Sequence, residues 1–200
     1  MWQSSPVPQS HPDVRILHLT PAAFHALADG DAATAATVIP VPVTPYLLGP
    51  ECGQVWRRRA AQCDADPRAA SWVTGLVWAG SLNKAVGAAG FHGPPDSSGV
   101  VEIGYGIDPD HRGNGYARTA LEDLLSRAIR DPRVTRVRVS IAPDNLASRS
   151  LATAFGFRQV GERIDAEDGL ELVYERPAYW PEVRCTIRRP EPKKLAALSR

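Results

Sequence analysis

The residues best suited to chemistry lie just after Ile107. There Arg112, Gly113, Asn114, Gly115, Tyr116 and Ala117 follow a β-type run and open a helical one. Gly113 and Gly115 allow a tight turn that presents N–H groups without Cβ obstruction. A helix N-terminus adds about half a positive charge, and Arg112 adds a whole one. Together they suit a phosphate or pyrophosphate group. Two familiar phosphate motifs fail on the letters. A dinucleotide fingerprint needs glycine at position 118, which is Arg118, and a Walker loop needs a lysine that this segment lacks. Taken alone, the turn also fits a tight connection with no ligand, so the elements around it must decide.

Those elements read clearly. Val14 to Leu19 is a strand, and Pro21 opens a short helix over Ala22 to Ala28. The Pro-rich stretch 38–50 reads as a loop or broken helix. Cys52 to Cys63 reads as a helix, with Val55, Trp56 and Ala60 on one face. Arg57 to Arg59 beside them read as a solvated helix face, with a grip on an anionic ligand as the alternative. Three strands follow in an antiparallel meander: Trp72 to Ala79, Ala85 to Phe91, and Val100 to Ile107. The Gly-rich turn then leads into an amphipathic helix. Its stripe is Ala117, Leu121, Leu124, Leu125, Ala128 and Ile129, and Asp131-Pro132 ends it.

Val137, Val139 and Ile141 alternate with polar residues, as in a strand with one buried face. Asp144 or Asn145 caps a further helix that Gly156 stops. A hairpin, Phe157 to Ile164 and Leu170 to Tyr174, completes the order. The pattern is mixed α/β with one parallel crossover, from the 100–107 strand through a helix to the 134–141 strand. Residues 1–12 read as a flexible arm, 13–176 as a single domain, and 177–200 as a peripheral tail.

Composition narrows the classes. The chain has 200 residues with net charge +1, which gives no support for broad nucleic-acid or membrane-surface binding. No apolar stretch approaches ~18 residues, so no membrane span is expected, and no signal peptide is apparent at the N-terminus. Cys52, Cys63 and Cys185 are odd in number and lack the close pairs of a zinc or redox site, so no metal is expected. A reducing cytoplasm fits them best. Ten of the 16 glycines fall between Gly75 and Gly115, which marks this region as the one built from turns and close approaches.

Two motifs on these elements resemble one family. The run VEIGYGIDPDHRGNGYARTAL contains Arg112-x-x-Gly115-x-Ala117, and Asn145, Ser148 and Leu151 precede Phe155, Gly156 and Phe157. Both are similar to the Gcn5-related N-acetyltransferases (GNAT), particularly the ribosomal-protein-alanine acetyltransferase-like branch. The hairpin text GERIDAEDGLELVYE fits the same branch. The resemblance is specific from about Trp72 to Glu175 and rests on element order alone from Val14 to Asp66.

The resemblance implies the GNAT fold, in which a mostly antiparallel sheet with flanking helices opens at one parallel strand pair to admit acetyl-CoA. It implies that backbone N–H groups of Arg112, Gly113, Asn114, Gly115, Tyr116 and Ala117 hold the pyrophosphate. The strand ending at Ile107 would pair with the pantetheine arm, Asn145 would reach the same arm, and Ser148 would lie near the thioester sulfur. An amine acceptor and a homodimer are further expectations. The acceptor is a protein N-terminus, a small metabolite or an aminoglycoside-like compound, held by residues 38–66, 91–96 and 165–169.

Acetyl transfer needs a neutral amine, and a free alkylamine is mostly protonated at neutral pH. A carboxylate can take that proton directly or through water. Glu102, on the strand leading to the turn, is the candidate base; a solvent-facing or ion-paired glutamate is the alternative. Many relatives carry Tyr after the leucine equivalent to Leu151, where this chain has Ala152. A proton for the leaving thiolate would then come from Ser148, Ser150 or water. His111 reads as an exposed loop residue, and Tyr105 and Trp78 as core or groove wall. The missing Tyr also leaves room for a non-catalytic acyl-CoA-binding or sensor module.

Overall fold

The strand and helix patterns assemble around one seven-stranded sheet. The computed structural model describes residues 12–166 and 169–179. Its strands are β1 (Val14–Leu17), β2 (Gly75–Ala79), β3 (Lys84–Phe91), β4 (Val100–Ile107), β5 (Arg136–Ile141), β6 (Arg158–Asp165) and β7 (Gly169–Pro177). Their spatial order is β1-β2-β3-β4-β5-β7-β6. Every pair is antiparallel except β4 with β5. This is the expected mixed sheet with a single parallel crossover, and that crossover is made by one helix.

The helices are α1 (Pro21–Ala28), α2 (Ala32–Val38), α3 (Pro45–Leu48), α4 (Pro50–Ala65), α5 (Tyr116–Arg130) and α6 (Leu146–Ala154). The 38–50 region is therefore more regular than a loop. Asp31 caps α2 by accepting from the Ala33 and Thr34 N–H groups, and Pro45 and Pro50 each start a helix, where a missing N–H costs nothing. Of the two readings of this stretch, loop or broken helix, the second is the one that forms, with two of its prolines at helix starts.

Each face of the sheet carries its own core. On one, Leu121, Leu124, Leu125 and Ala128 of α5 meet Val86, Val101, Ile103 and Val137. The buried stripe of α5 is rotated slightly from expectation: Tyr116 and Ala120 join it, while Ala117 and Ile129 lie at its half-buried edges. On the other face, Phe24 and Leu27 of α1 meet Trp56 and Ala60 of α4. The Trp56 indole N–H donates to Leu47 O at 2.7 Å, which satisfies the one polar atom of a fully buried ring. The sheet runs to Pro177, and Ala178 is buried with its N–H on Thr135 O. The domain's edge thus extends past 176. Residues 1–11 of the expected arm and 180–200 of the expected tail lie outside the described residues.

Candidate active site at a forked strand pair

β4 and β5 pair at only three positions: Val100–Arg136, Val101–Val137 and Glu102–Arg138. β4 continues five residues further to Ile107, while β5 stays paired with β7 on its other edge from Arg136 through Ile141. The parallel pair therefore forks immediately after Glu102. Two cavities open around the fork, of about 460 and 370 Å³, and both are lined by Tyr105, Gly106, Asn145 and Ser148.

The larger cavity runs to the glycine turn and is lined by Ile107, Arg112, Gly113, Gly115, Tyr116 and Ala117. Gly113 and Gly115 have φ of 79° and 82°, the left-handed region that costs other residues energy. Asn114 lines no cavity; its Nδ2 donates to His111 O and Arg112 O at 3.1 Å and braces the turn. Arg112 Nε donates to Ile107 O at 3.0 Å, tying the turn to the strand end. Gly115 caps α5 without a side chain. Among the described residues, the N–H groups of residues 113–118 have no hydrogen-bond acceptor, and Thr119 N–H is the first to bond back, to Gly115 O. A row of free donors at a helix N-terminus beside a cavity fits an anionic group such as pyrophosphate.

His111 differs from expectation. Its side chain is only 19% exposed, lines this cavity, and approaches Asp108 Oδ2 at 3.7 Å. At the α6 end, Asn145 is the cap: its Oδ1 accepts from Ser148 N at 3.1 Å. Its side-chain oxygen is thus already engaged, and Nδ2 is the end left to face the cavities. Ser148 lines both cavities, and Tyr105 Oη donates to Ser148 O at 3.4 Å. Burial raises the Tyr105 phenol above its usual range, so it stays protonated. Ser150 is exposed and lines neither cavity. Ala152 is 1% exposed and belongs to the core. Trp78 stands apart on β2 beneath Arg15.

The smaller cavity lies on the α4 face. Helix α4 contributes Trp56, Arg58 and Arg59, and the 91–96 break contributes His92. Glu171, on β7, lines it too. Glu102 borders this region. Arg163 Nη2 lies 2.9 Å from Glu102 Oε1, and Arg163 Nη1 donates to Oε2 at 3.1 Å. Arg163 Nε meanwhile donates to Glu171 Oε2 at 2.7 Å. The Oε1 contact is an ion pair without hydrogen-bond alignment, so this buried oxygen keeps an open acceptor position. His92 Nδ1 stands 3.8 Å from it. Burial first, then the Arg59 charge, push His92 down to about 4, so its imidazole is neutral at neutral pH. A Cβ on Gly104 would come within 2.7 Å of His92 Nε2; only glycine lets the ring lie over β4 there.

Sequence reasoning missed His92, Arg163 and Glu171. His92 lies within the expected 91–96 acceptor segment, but only the register singles it out: Phe91 pairs with Ile103, so the residue just after β3 meets Glu102. No comparable signal existed for Arg163, because β6 reaches Glu102 only through β7 and β5. Among the described residues, no three His, Cys, Asp or Glu gather to hold a metal.

A forked parallel pair inside an otherwise antiparallel sheet, with a glycine turn and an uncapped helix beside the fork, is the GNAT fold. Residues 16–158 match the family model "Acetyltransferase (GNAT) domain", and the chain belongs to this family. The Bacillus subtilis (strain 168) protein "Uncharacterized N-acetyltransferase YjdG" is 36% identical over 72 residues, 36% of this chain and 43% of that protein. The L-2,4-diaminobutyric acid acetyltransferase of Streptomyces coelicolor is 36% identical over 73 residues, 36% of this chain and 41% of that protein. The chain thus spans less than half the length of these curated relatives. Among solved structures, RimL, a ribosomal L7/L12 alpha-N-protein acetyltransferase in complex with coenzyme A, superposes with a TM-score of 0.58 at 18% identity, covering 85% of this chain and 96% of that one.

Proposed function

We propose that the protein is an acetyl-CoA-dependent N-acetyltransferase that acts on a primary amine. The observation that carries this reading is the fork itself, which has free N–H donors along one arm and a carboxylate at its base. The free N–H groups of residues 113–117 hold the pyrophosphate, with the Asn114 side chain bracing the turn; the expected Arg112 N–H is not among them, because it already bonds Pro109 O. The exposed backbone edge of β4 up to Ile107 pairs with the pantetheine arm, and Asn145 Nδ2 reaches it from α6. When bound, acetyl-CoA supplies an acetyl thioester at the junction of the two cavities.

The amine enters from the α4 side. Glu102 accepts a proton from the incoming ammonium at Oε1, the oxygen with an open acceptor position. Neutral His92 beside it leaves the carboxylate as the proton acceptor, because burial and the Arg59 charge oppose a proton on the imidazole. Ser148, which lines both cavities, donates a proton to the leaving thiolate through its Oγ–H. Ser150 drops out of that role because it faces solvent. The missing Tyr has no substitute at position 152, since Ala152 points into the core.

Cys52 and Cys63 are free thiols, which suits a reducing cytoplasm. Among the described residues, no helix is long and apolar enough to cross a membrane. A homodimer belongs to the same reading and is checked by light scattering.

The test is calorimetry with acetyl-CoA followed by thiol release across an amine panel. Binding with release on at least one amine supports the reading. Absence of binding overturns it. Binding without release on any amine points instead to an acyl-CoA-binding module.

A further inference from the structure

Arg57 and Arg58 on α4 are exposed, as a solvated helix face should be, but Arg59 is 3% exposed. It lines the acceptor cavity. Its Nε donates to Thr74 Oγ1 at 3.1 Å, and its Nη1 donates to Gln62 Oε1 at 2.7 Å and His92 O at 3.3 Å. Every one of these acceptors is neutral. Among the described residues, Arg59 has no carboxylate within ion-pair distance, and its Nη2 makes no hydrogen bond. Buried charges in proteins are ordinarily paired, because an uncompensated one is costly to desolvate. Burial, and then the neighbouring Arg58 charge, lower the Arg59 guanidinium to about 10, so it remains a cation at neutral pH.

The other wall has the opposite imbalance. Glu102 and Glu171 are two carboxylates that share one guanidinium, Arg163. The cavity thus carries on α4 a cation with no carboxylate in contact, which Glu102 reaches only at longer range, and an anionic surplus where β4 and β7 approach. An acceptor with an ammonium and a carboxylate matches both walls. A plain alkylamine leaves Arg59 unpaired.

We propose that Arg59 anchors a carboxylate of the acceptor, so that the substrates are amines that also carry a carboxylate. This rests on the acetyltransferase reading and narrows its substrate class. The free Nη2 offers its two N–H groups to a carboxylate in a charge-assisted bond, which a neutral amide replaces poorly. The carboxylate belongs either to a free amino acid or to an acidic residue near a peptide N-terminus.

The experiment uses matched pairs on the full chain. Glycine, β-alanine and 4-aminobutyrate are compared with their amides, and the peptide Ala-Asp-Ala-amide with Ala-Asn-Ala-amide. Thiol release gives kcat/KM, and calorimetry on the CoA-loaded protein gives Kd for the acetylated products. The expected result is a preference of about tenfold or more for the carboxylate member of at least one pair, in either measure. The pair that shows it identifies the source. In Arg59→Gln the preference falls to within about threefold. Arg59→Lys keeps the buried charge, loses the braced guanidinium, and retains part of the preference. Should Arg59→Gln fail to fold, the comparison on the unaltered protein still decides. Equal use of acids and amides in every pair overturns the carboxylate anchor and leaves the acetyltransferase reading standing. A binding preference without thiol release supports the anchor and overturns the catalytic reading.

Discussion

Glu102 and Arg163 are 61 residues apart in sequence, yet Arg163 Nη2 lies 2.9 Å from Glu102 Oε1 at the last paired position of the fork. The ion pair holds the carboxylate at the base of the opening, and Glu171 holds Arg163 from the far side. In the proposed reaction a carboxylate fixed this way meets an incoming amine without first ordering its own side chain.

Glu102→Gln keeps the shape and removes the proton acceptor. Turnover should fall by about 10²-fold or more, with the affinity for acetyl-CoA unchanged by calorimetry. Because Gln also breaks the ion pair, Arg163→Met serves as the control: it frees the carboxylate but leaves it titratable. If Arg163→Met loses as much activity as Glu102→Gln, the effect is one of positioning and Glu102 is not the base.

Gly115 turns the chain into α5 at φ 82°. An added Cβ would meet Pro12 no nearer than 3.6 Å, so Gly115→Ala is opposed by the backbone conformation and not by crowding. The left-handed conformation costs an L-residue roughly 1–2 kcal/mol. We expect a folded protein whose Kd for acetyl-CoA rises about tenfold as the N–H row shifts. An unchanged Kd would remove the turn from cofactor binding.

Leu124 is fully buried on α5 against the sheet. Leu124→Ala should cost about 2–5 kcal/mol in chemical denaturation, the sum of lost transfer energy and the residual cavity. Ile129→Ala, at the half-buried edge of the same helix, should cost visibly less. Equal losses would mean that the α5 face is assigned wrongly.

His92 titrates at about 4 in the folded protein against 6.5 when unperturbed, and burial lowers His18 in the same direction. A histidine whose folded value is depressed binds more protons when unfolded. Its contribution is therefore fully present above pH 6.5 and is lost as pH falls from 6.5 toward 4. The melting temperature should decline across that window, and His92→Gln should make the decline shallower. Parallel curves for the two proteins would show that His92 is already charged in the native state.

Much of this protein was legible from the chain alone. The short connections of the meander placed β4, alternation placed β5, the apolar stripe placed α5, and the spacing of Arg112, Gly115 and Ala117 marked the turn between β4 and α5. These are local signals, set by backbone sterics and by which faces must leave water. Asn145 and Ser148 were legible for the same reason, although only the fold assigned Asn145 Oδ1 to the Ser148 N–H and turned Ala152 into the core.

What the tertiary structure alone decided was the charge arrangement around the fork. Arg57, Arg58 and Arg59 are identical letters in a row, and helical rotation buries the third while the first two face solvent. Arg163 reaches Glu102 through two intervening strands, and the partners of a buried charge depend on which strands neighbour one another. Sequence marked the glycine turn beside the fork, while long-range packing determined which carboxylate is held by Arg163 and which guanidinium is buried without a carboxylate in contact.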